Sequence, residues 1–246
     1  IAYLGIWVIS PKRLFTNNWQ DELWLVAGGI FGGSLYFFTE NTALGITQAS
    51  NVSFIICTAP LLTTILSLLF YKSEKASKGL IYGSLLALMG VGLIVFNGSF
   101  VLKISPIGDL LTLLAALSWA FYSLIIKKMA GRYPTIFITR KIFFYGVLTI
   151  LPAFLLHPLH PDTVVLLQPA VLFNLLFLAV LASLICYVLW NVVLKQLGTV
   201  RASNYIYLNP LVTMIASFLI LDEKITLVAL GGAACIVCGV YWAEKK

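Results

Sequence analysis

One carboxylate lies well inside an apolar run of this sequence: Glu40, in the stretch 23–45. A charge near the bilayer centre costs roughly 2.5–3.5 kcal/mol on insertion scales. Glu40 is therefore expected to face a bundle interior, to be protonated, or to sit near the outer interface. Tyr36 is one helical turn back on the same face. Asn51 lies about as far beyond the turn at 45–48 as Glu40 lies before it. Tyr36, Glu40, Asn41 and Asn51 form a group able to bind a cationic or polar substrate group, with Glu40 the candidate for proton coupling. The same pattern also suits an interfacial carboxylate hydrogen-bonded to its neighbours.

A second polar and aromatic set comprises Trp190, Asn191, Asn204, Tyr205, Tyr207 and Asn209, with Trp119 and Tyr122 one turn apart on another helix. Tyr205 and Asn209 share a face by their i,i+4 spacing. Amides and phenols between apolar walls suit a cavity for an amphipathic small molecule, and interhelical hydrogen bonding enriches the same residue types. Pro60 and Pro210 fall at the middle of their spans. Each removes a backbone donor, which frees the carbonyls of Ile56 and Ile206 and bends the helix. Irregular backbone at that depth is tolerated against protein or a wet cavity.

Other motifs carry bland readings. Cys235 and Cys238 are two small residues one turn apart inside an apolar run, and neither redox nor metal chemistry is inferred from them. His157, His160 and Asp162 share a loop with two prolines and no fourth ligand, so no metal site is expected. Gly83, Gly90, Gly232 and Gly239 repeat at seven-residue spacing, as close helix packing requires. Nothing resembles the phosphate-binding G-x-x-x-x-G-K-[ST] loop. No cofactor is implied. The clustered His, Asp, Glu or Cys of a membrane-embedded enzyme is missing, and an enzyme or a non-transporting scaffold or receptor stands as the alternative to a transporter.

The elements that hold these residues are long and apolar. Hydrophobic residues make up 61% of the 246 and charged residues 10%, too few charges to cover a water-soluble surface. Nine hydrophobic segments are expected: a partial one at 1–9, then 23–45, 49–71, 79–96, 106–126, 135–156, 171–194, 200–221 and 225–243. Most are continuous over more than about 18 residues, as spanning helices are. Of the 16 Lys and Arg residues, only Lys103 and Lys224 fall on one side of this arrangement. The crowded side is then cytoplasmic, and so is the C-terminus. The net charge of +7 reflects topology, and nucleic acid is not expected as a partner.

The chain also repeats itself. A shift of 150 residues lays Asn41 on Asn191, Ser53 on Ser203, Pro60 on Pro210 and Thr63 on Thr213. A shift of 149 lays Glu74-Lys75 on Glu223-Lys224, Gly83 on Gly232 and Gly90 on Gly239. The repeat unit holds five spans. Five is odd, so the second copy enters the membrane from the opposite side, an inverted-topology repeat of the kind found in secondary transporters. Residue 1 aligns near residue 151, so the first copy is expected to lack its first helix and part of its second.

The pattern resembles the drug/metabolite transporter superfamily, specifically its EamA-type permeases, over essentially the whole chain. The residues that carry the resemblance are Ala43-Leu44, Ala49, Ala59-Pro60 and Glu74-Lys75 in the first half. In the second half they are Gly108-Asp109, Ser118-Trp119-Ala120, Asn209-Pro210 and Asp222-Glu223-Lys224. The resemblance implies an all-α ten-helix bundle of two inverted five-helix repeats. The first would occupy 1–96, a loop 97–105 and the second 106–246. It also implies efflux or exchange of amino acids, drugs or related solutes through a central cavity lined in part by the absent first helix. Expected partners are a small-molecule substrate and the lipid bilayer, with a homodimer left open. The expected location is the bacterial inner membrane.

Overall fold

The computed structural model describes residues 15–71, 77–96, 105–156, 163–221 and 225–245. Among them there is no strand, and seven helices are long and apolar enough to cross a membrane. The expected segment at 1–9, the loop histidines His157 and His160 with Asp162, and the Glu74-Lys75 and Glu223-Lys224 pairs lie outside the described residues. The expected span 23–45 is a continuous helix but not one of the seven; it carries Glu40 and is preceded by Asp21 and Glu22. The chain divides into two compact units. One comprises the described parts of Ile1–Leu35 and Ile125–Gln196, the other those of Tyr36–Leu124 and Leu197–Lys246.

In the first unit, α1 (Trp19–Gly29) starts on Asn18, whose side chain accepts from the Asp21 amide at 2.7 Å. Such a cap satisfies one of the donors a helix start leaves open. α1 runs parallel to a later helix, Thr135–Leu156, because the contacts rise together along both. Asp21 meets Arg132 Nη1 at 2.5 Å and the Tyr133 hydroxyl at 2.9 Å, and Ser34 meets Thr149 at 2.8 Å. Between them, Lys141 and Tyr145 both donate to Glu22 Oε1. Thr16 donates twice to Glu22 Oε2, from its amide at 3.0 Å and its hydroxyl at 2.7 Å. Asp21 and Glu22 are both buried, and a buried ion pair survives only when further hydrogen bonds satisfy the remaining lone pairs.

Glu22 precedes the apolar stretch that begins at Leu23. Burial pushes its pKa up, but the donors Lys141, Tyr145 and Thr16 outweigh burial and hold it at about 2 against an ordinary 4.5. A carboxylate depressed in this way contributes its stability in full above the unfolded value, and loses it as pH falls towards the folded one. Thermal stability is therefore expected to drop between pH 4.5 and about 2 more steeply in the wild type than in Glu22→Gln. At neutral pH the variant should be weaker by about 3–5 kcal/mol, because Lys141 is left buried without its counter-charge. Melting curves across that range check this, and superimposable pH profiles would sink it.

The helix from Trp19 does not end at Gly29. It continues through a π-helical stretch, Ile30–Ser34, into α2 (Leu35–Ile46). A π turn widens the ladder and frees a carbonyl. The Gly32 carbonyl accepts the buried Tyr187 hydroxyl at 2.6 Å. A second π-helical stretch, Phe177–Ile185, interrupts the helix Pro169–Leu197. The two irregularities overlap under the 150-residue shift that relates Asn41 to Asn191.

The same correspondence holds in the second unit. α3 (Ala49–Ile56) stops at a turn, and α4 (Ala59–Phe70) starts with Pro60 as its second residue. Thr58 donates to the Ile55 carbonyl at 2.7 Å, capping a group the break exposes. Further along, α5 is Lys78–Phe96, α6 Pro106–Ala130, α7 Thr135–Leu156, α8 Thr163–Leu166 and α9 Pro169–Leu176. After α10 (Cys186–Leu197) and α11 (Thr199–Asn204) comes a tight 3-10 turn, Tyr205–Leu208. α12 (Asn209–Leu221) follows, with Pro210 as its second residue, and α13 (Leu227–Glu244) comes last. Each proline thus follows a local irregularity within a helix that runs on at spanning length, a turn at Cys57–Thr58 and the 3-10 turn at Tyr205–Leu208, with the backbone staying right-handed helical at Cys57, Thr58, Tyr205 and Asn209. A missing backbone donor permits such an irregularity.

α5 and α13 form the closest packing in this unit. A Cβ on Gly90 would stand 2.5 Å from the Gly232 carbonyl oxygen, and one on Gly239 2.5 Å from the Gly83 carbonyl oxygen and the Ala87 amide nitrogen. Gly83 thus meets Gly239 while Gly90 meets Gly232, so the helices run antiparallel. The 149-residue shift carries one contact onto the other. Against this pair pack Cys57, from the break after α3, and Tyr207, from the 3-10 turn, within a core that includes Val91, Ile236 and Val240.

The Gly108-Asp109 pair has a local role at the start of α6. Asp109 accepts from the Ser105 amide at 3.2 Å and from the Thr47 hydroxyl at 3.3 Å, and Gly108 leaves room for the Thr47 side chain. This fastens the start of α6 to the turn between α2 and α3.

Candidate functional site

Four of the residues singled out by type and spacing come together in the second unit. Tyr36 and Glu40 lie one turn apart on α2, and the Tyr36 hydroxyl donates to Glu40 Oε1 at 2.9 Å. Among the described residues this is the one hydrogen bond Glu40 receives. The Tyr36 ring lies 5.1 Å from that of Trp119 on α6, and Trp119 lies 5.2 Å from Tyr122. Ring centroids at such distances give favourable aromatic contact. Tyr122 is fully buried, while Glu40, Tyr36 and Trp119 are half-buried. The result is a carboxylate and a phenol at the edge of an aromatic wall. It can hold a cation by charge and ring face, or an amphipathic solute by stacking.

The other candidates divide by exposure. Asn41 follows Glu40 directly and is turned about 100° away from it. It is exposed, and its amide donates to the Phe37 carbonyl at 2.8 Å. Asn51 is buried on α3. Asn204 has no exposed surface, and among the described residues neither its Oδ1 nor its Nδ2 has a hydrogen-bond partner. Leaving such a group unpaired costs about 1–3 kcal/mol. Tyr205 and Asn209 are both exposed in mid-span, as their shared face requires. Tyr207, on the opposite side of the turn, is buried in the core with Cys57. Pro60 and Pro210 are buried at the two helix interruptions.

In the first unit, Asn191 is buried and its Nδ2 donates to the Thr139 hydroxyl at 2.8 Å. Trp190 beside it is half-buried. Tyr187, one turn earlier than Asn191, joins this group through its ring, 5.2 Å from that of Phe143, and through its bond to Gly32. Sequence reasoning passed over Tyr187 and the Asp21–Arg132 and Glu22–Lys141 pairs. The available signal was Arg140 and Lys141 inside an apolar span with two acids ahead of another span. Counting those bases as loop charges hid it.

A model of the EamA-like transporter family matches residues 1–96 and 106–243. An uncharacterized transporter of Archaeoglobus fulgidus is 28% identical over 99% of this chain and 83% of its own length. A probable amino-acid metabolite efflux pump of Salmonella typhimurium is 29% identical over 70% of this chain and 60% of its own. A protein of the same description from Escherichia coli is 23% identical over 81% and 69%. A solved crystal structure superposes with a TM-score of 0.79 at 18% identity, covering 99% of this chain and 82% of that one, and so shares the all-helical fold. The match of the family model over both segments settles the relationship: the chain belongs to the EamA-like transporter family.

Proposed function

We propose that this multi-pass membrane protein moves a small polar or amphipathic metabolite across the bacterial inner membrane by alternating access. The observation that carries the reading is the Tyr36–Glu40 pair set against Trp119 and Tyr122 of α6, a helix long and apolar enough to span a membrane. Asn51 and Asn204 of the same unit would add polar surface to the substrate path. The exposed mid-span Tyr205 and Asn209 favour a wet cavity over lipid, where an amide finds no partner.

The architecture proposed is two inverted five-helix repeats, residues 1–96 and 106–246, ten spans in the full complement, with the C-terminus cytoplasmic. Supporting it are the antiparallel glycine contact between α5 and α13, the paired π-helical stretches and the paired helix interruptions before Pro60 and Pro210. An odd-span repeat must return in the opposite direction, as α13 does against α5.

The test is thermal stability in detergent against amino acids, polyamines, nucleosides, sugars and hydrophobic cations. Two relatives carry the description probable amino-acid metabolite efflux pump, which puts amino acids first in the panel. A ligand of the folded state at a hundredfold excess over its Kd stabilises by about 2.7 kcal/mol. One chemical class should shift the wild type saturably and Tyr36→Phe less. A class that shifts both equally would show that the site lies elsewhere.

A further inference from the structure

A cleft of about 330 Å³ opens in the second unit, away from the Tyr36–Glu40 cluster, where the ends of four elements converge. Its walls come from Thr64 and Leu68 of α4, Ser77 and Leu80 at the start of α5, Leu197–Arg201, and the last turn of α13 with Lys245. These are ends of apolar spans, so the cleft lies at the depth of lipid headgroups. It is on the side that the proposed topology makes cytoplasmic, and the inference rests on that orientation.

The polar groups in the cleft are incompletely used. Arg201 Nε stands 3.7 Å from Glu244 Oε2, beyond hydrogen-bond length, and the guanidinium makes no hydrogen bond among the described residues. Glu244 Oε1 is buried without a donor among the described residues. The Thr199 hydroxyl also lacks a partner among the described residues, on a residue only 1% exposed. Two cations, Arg201 and Lys245, thus share a small cleft with a carboxylate oxygen that needs a donor. A simple anion would satisfy Arg201 and leave Glu244 Oε1 orphaned and repelled. A simple cation would do the reverse.

We propose that this cleft binds the headgroup of a zwitterionic phospholipid bearing a primary ammonium, the phosphoethanolamine type. The phosphate would take hydrogen bonds from Arg201 and Thr199, with Lys245 adding charge. The ammonium would donate to Glu244. Leu68, Leu80, Leu197 and Val200 supply apolar wall for the glycerol end and the start of the acyl chains. A free amino acid carries the same pair of charges, so the experiment separates the two sources.

The full chain, purified in mild detergent, is offered equimolar phosphatidylethanolamine, phosphatidylglycerol and phosphatidylcholine, and the lipids retained are counted by native mass spectrometry. Phosphatidylethanolamine should be enriched about tenfold over both others, the worth of one charge-assisted hydrogen bond. Phosphatidylglycerol has no ammonium, and the quaternary ammonium of phosphatidylcholine has no N–H. Enrichment over phosphatidylcholine should vanish in Glu244→Gln, and retention of all phosphates should fall in Arg201→Gln. Melting temperatures without added lipid establish that both variants are folded. Retention at the offered ratio in the wild type would overturn the proposal, as would enrichment unchanged in Glu244→Gln. Displacement of the lipid by millimolar glycine, with a thermal shift from glycine alone, would overturn it in favour of a free amino acid. None of these readouts measures transport, so a failed transport assay leaves this one standing.

Discussion

Glu40→Gln is expected to give a folded protein that still exchanges its substrate but no longer gains from a proton gradient. Glutamine has the same length and keeps a carbonyl oxygen for the Tyr36 hydroxyl, now 2.9 Å from Glu40 Oε1. What it loses is the proton and the charge. An ionised Glu40 in a span has one described donor and an aromatic neighbourhood, while the charge itself costs roughly 2.5–3.5 kcal/mol near mid-membrane. A group so placed gains by releasing its proton only when water or a cationic substrate reaches it, which is what coupling requires. In proteoliposomes, counterflow should continue in the variant, and gradient-driven accumulation should fall to the level seen without a gradient. Tyr36→Phe should keep the proton dependence and weaken substrate binding. The loss is roughly ten- to a hundredfold if the phenol contributes a charge-assisted hydrogen bond. Undiminished gradient-driven accumulation in Glu40→Gln would end the proton-coupling reading.

The second large effect concerns α5 and α13. Gly83→Ala and Gly239→Ala each place a methyl group against backbone atoms of the facing helix, and Gly90→Ala and Gly232→Ala do the same at the other contact. Backbone cannot rotate out of the way as a side-chain tip can, so the helices must separate. Overpacking of this kind typically costs 1–3 kcal/mol. All four variants should melt several degrees below the wild type, whereas Gly231→Ala, where a methyl group meets nothing within 4 Å, should not. The two members of each contact press on one another, so Gly83→Ala and Gly239→Ala together should lose less than their sum. Strict additivity would mean the two helices do not meet there.

What was legible beforehand follows from the range of each signal. Long apolar runs announce membrane helices because hydrophobicity is a property of the segment alone. The Tyr36–Glu40 contact was legible because four residues make one turn. The glycine spacing showed that helices would pack closely, though not which ones. Asn41 shows the limit of grouping by proximity in sequence, since one step along a helix turns a side chain to another face. The bond of Tyr187 to Gly32 spans 155 positions and depends on a π turn, which no residue type announces. Arg140 and Lys141 looked like loop charges. Both are buried, and Glu22 compensates Lys141 from a helix 119 positions away. Nor could the sequence tell what form the irregularity beside each proline takes, a turn at Cys57–Thr58 before Pro60 and a 3-10 turn at Tyr205–Leu208 before Pro210.

The pairing of α5 with α13 also sets an order of events during synthesis. The two faces that fit each other are about 150 positions apart along the chain, and α13 is the last helix described. At a synthesis rate of about 5–20 residues per second, α5 waits on the order of ten seconds in the bilayer before its partner exists. Throughout that interval its glycine face is turned to lipid or to whatever chaperone holds it. The contact between α5 and α13 therefore closes only once α13 is inserted, and a chain that cannot make it keeps an open glycine face.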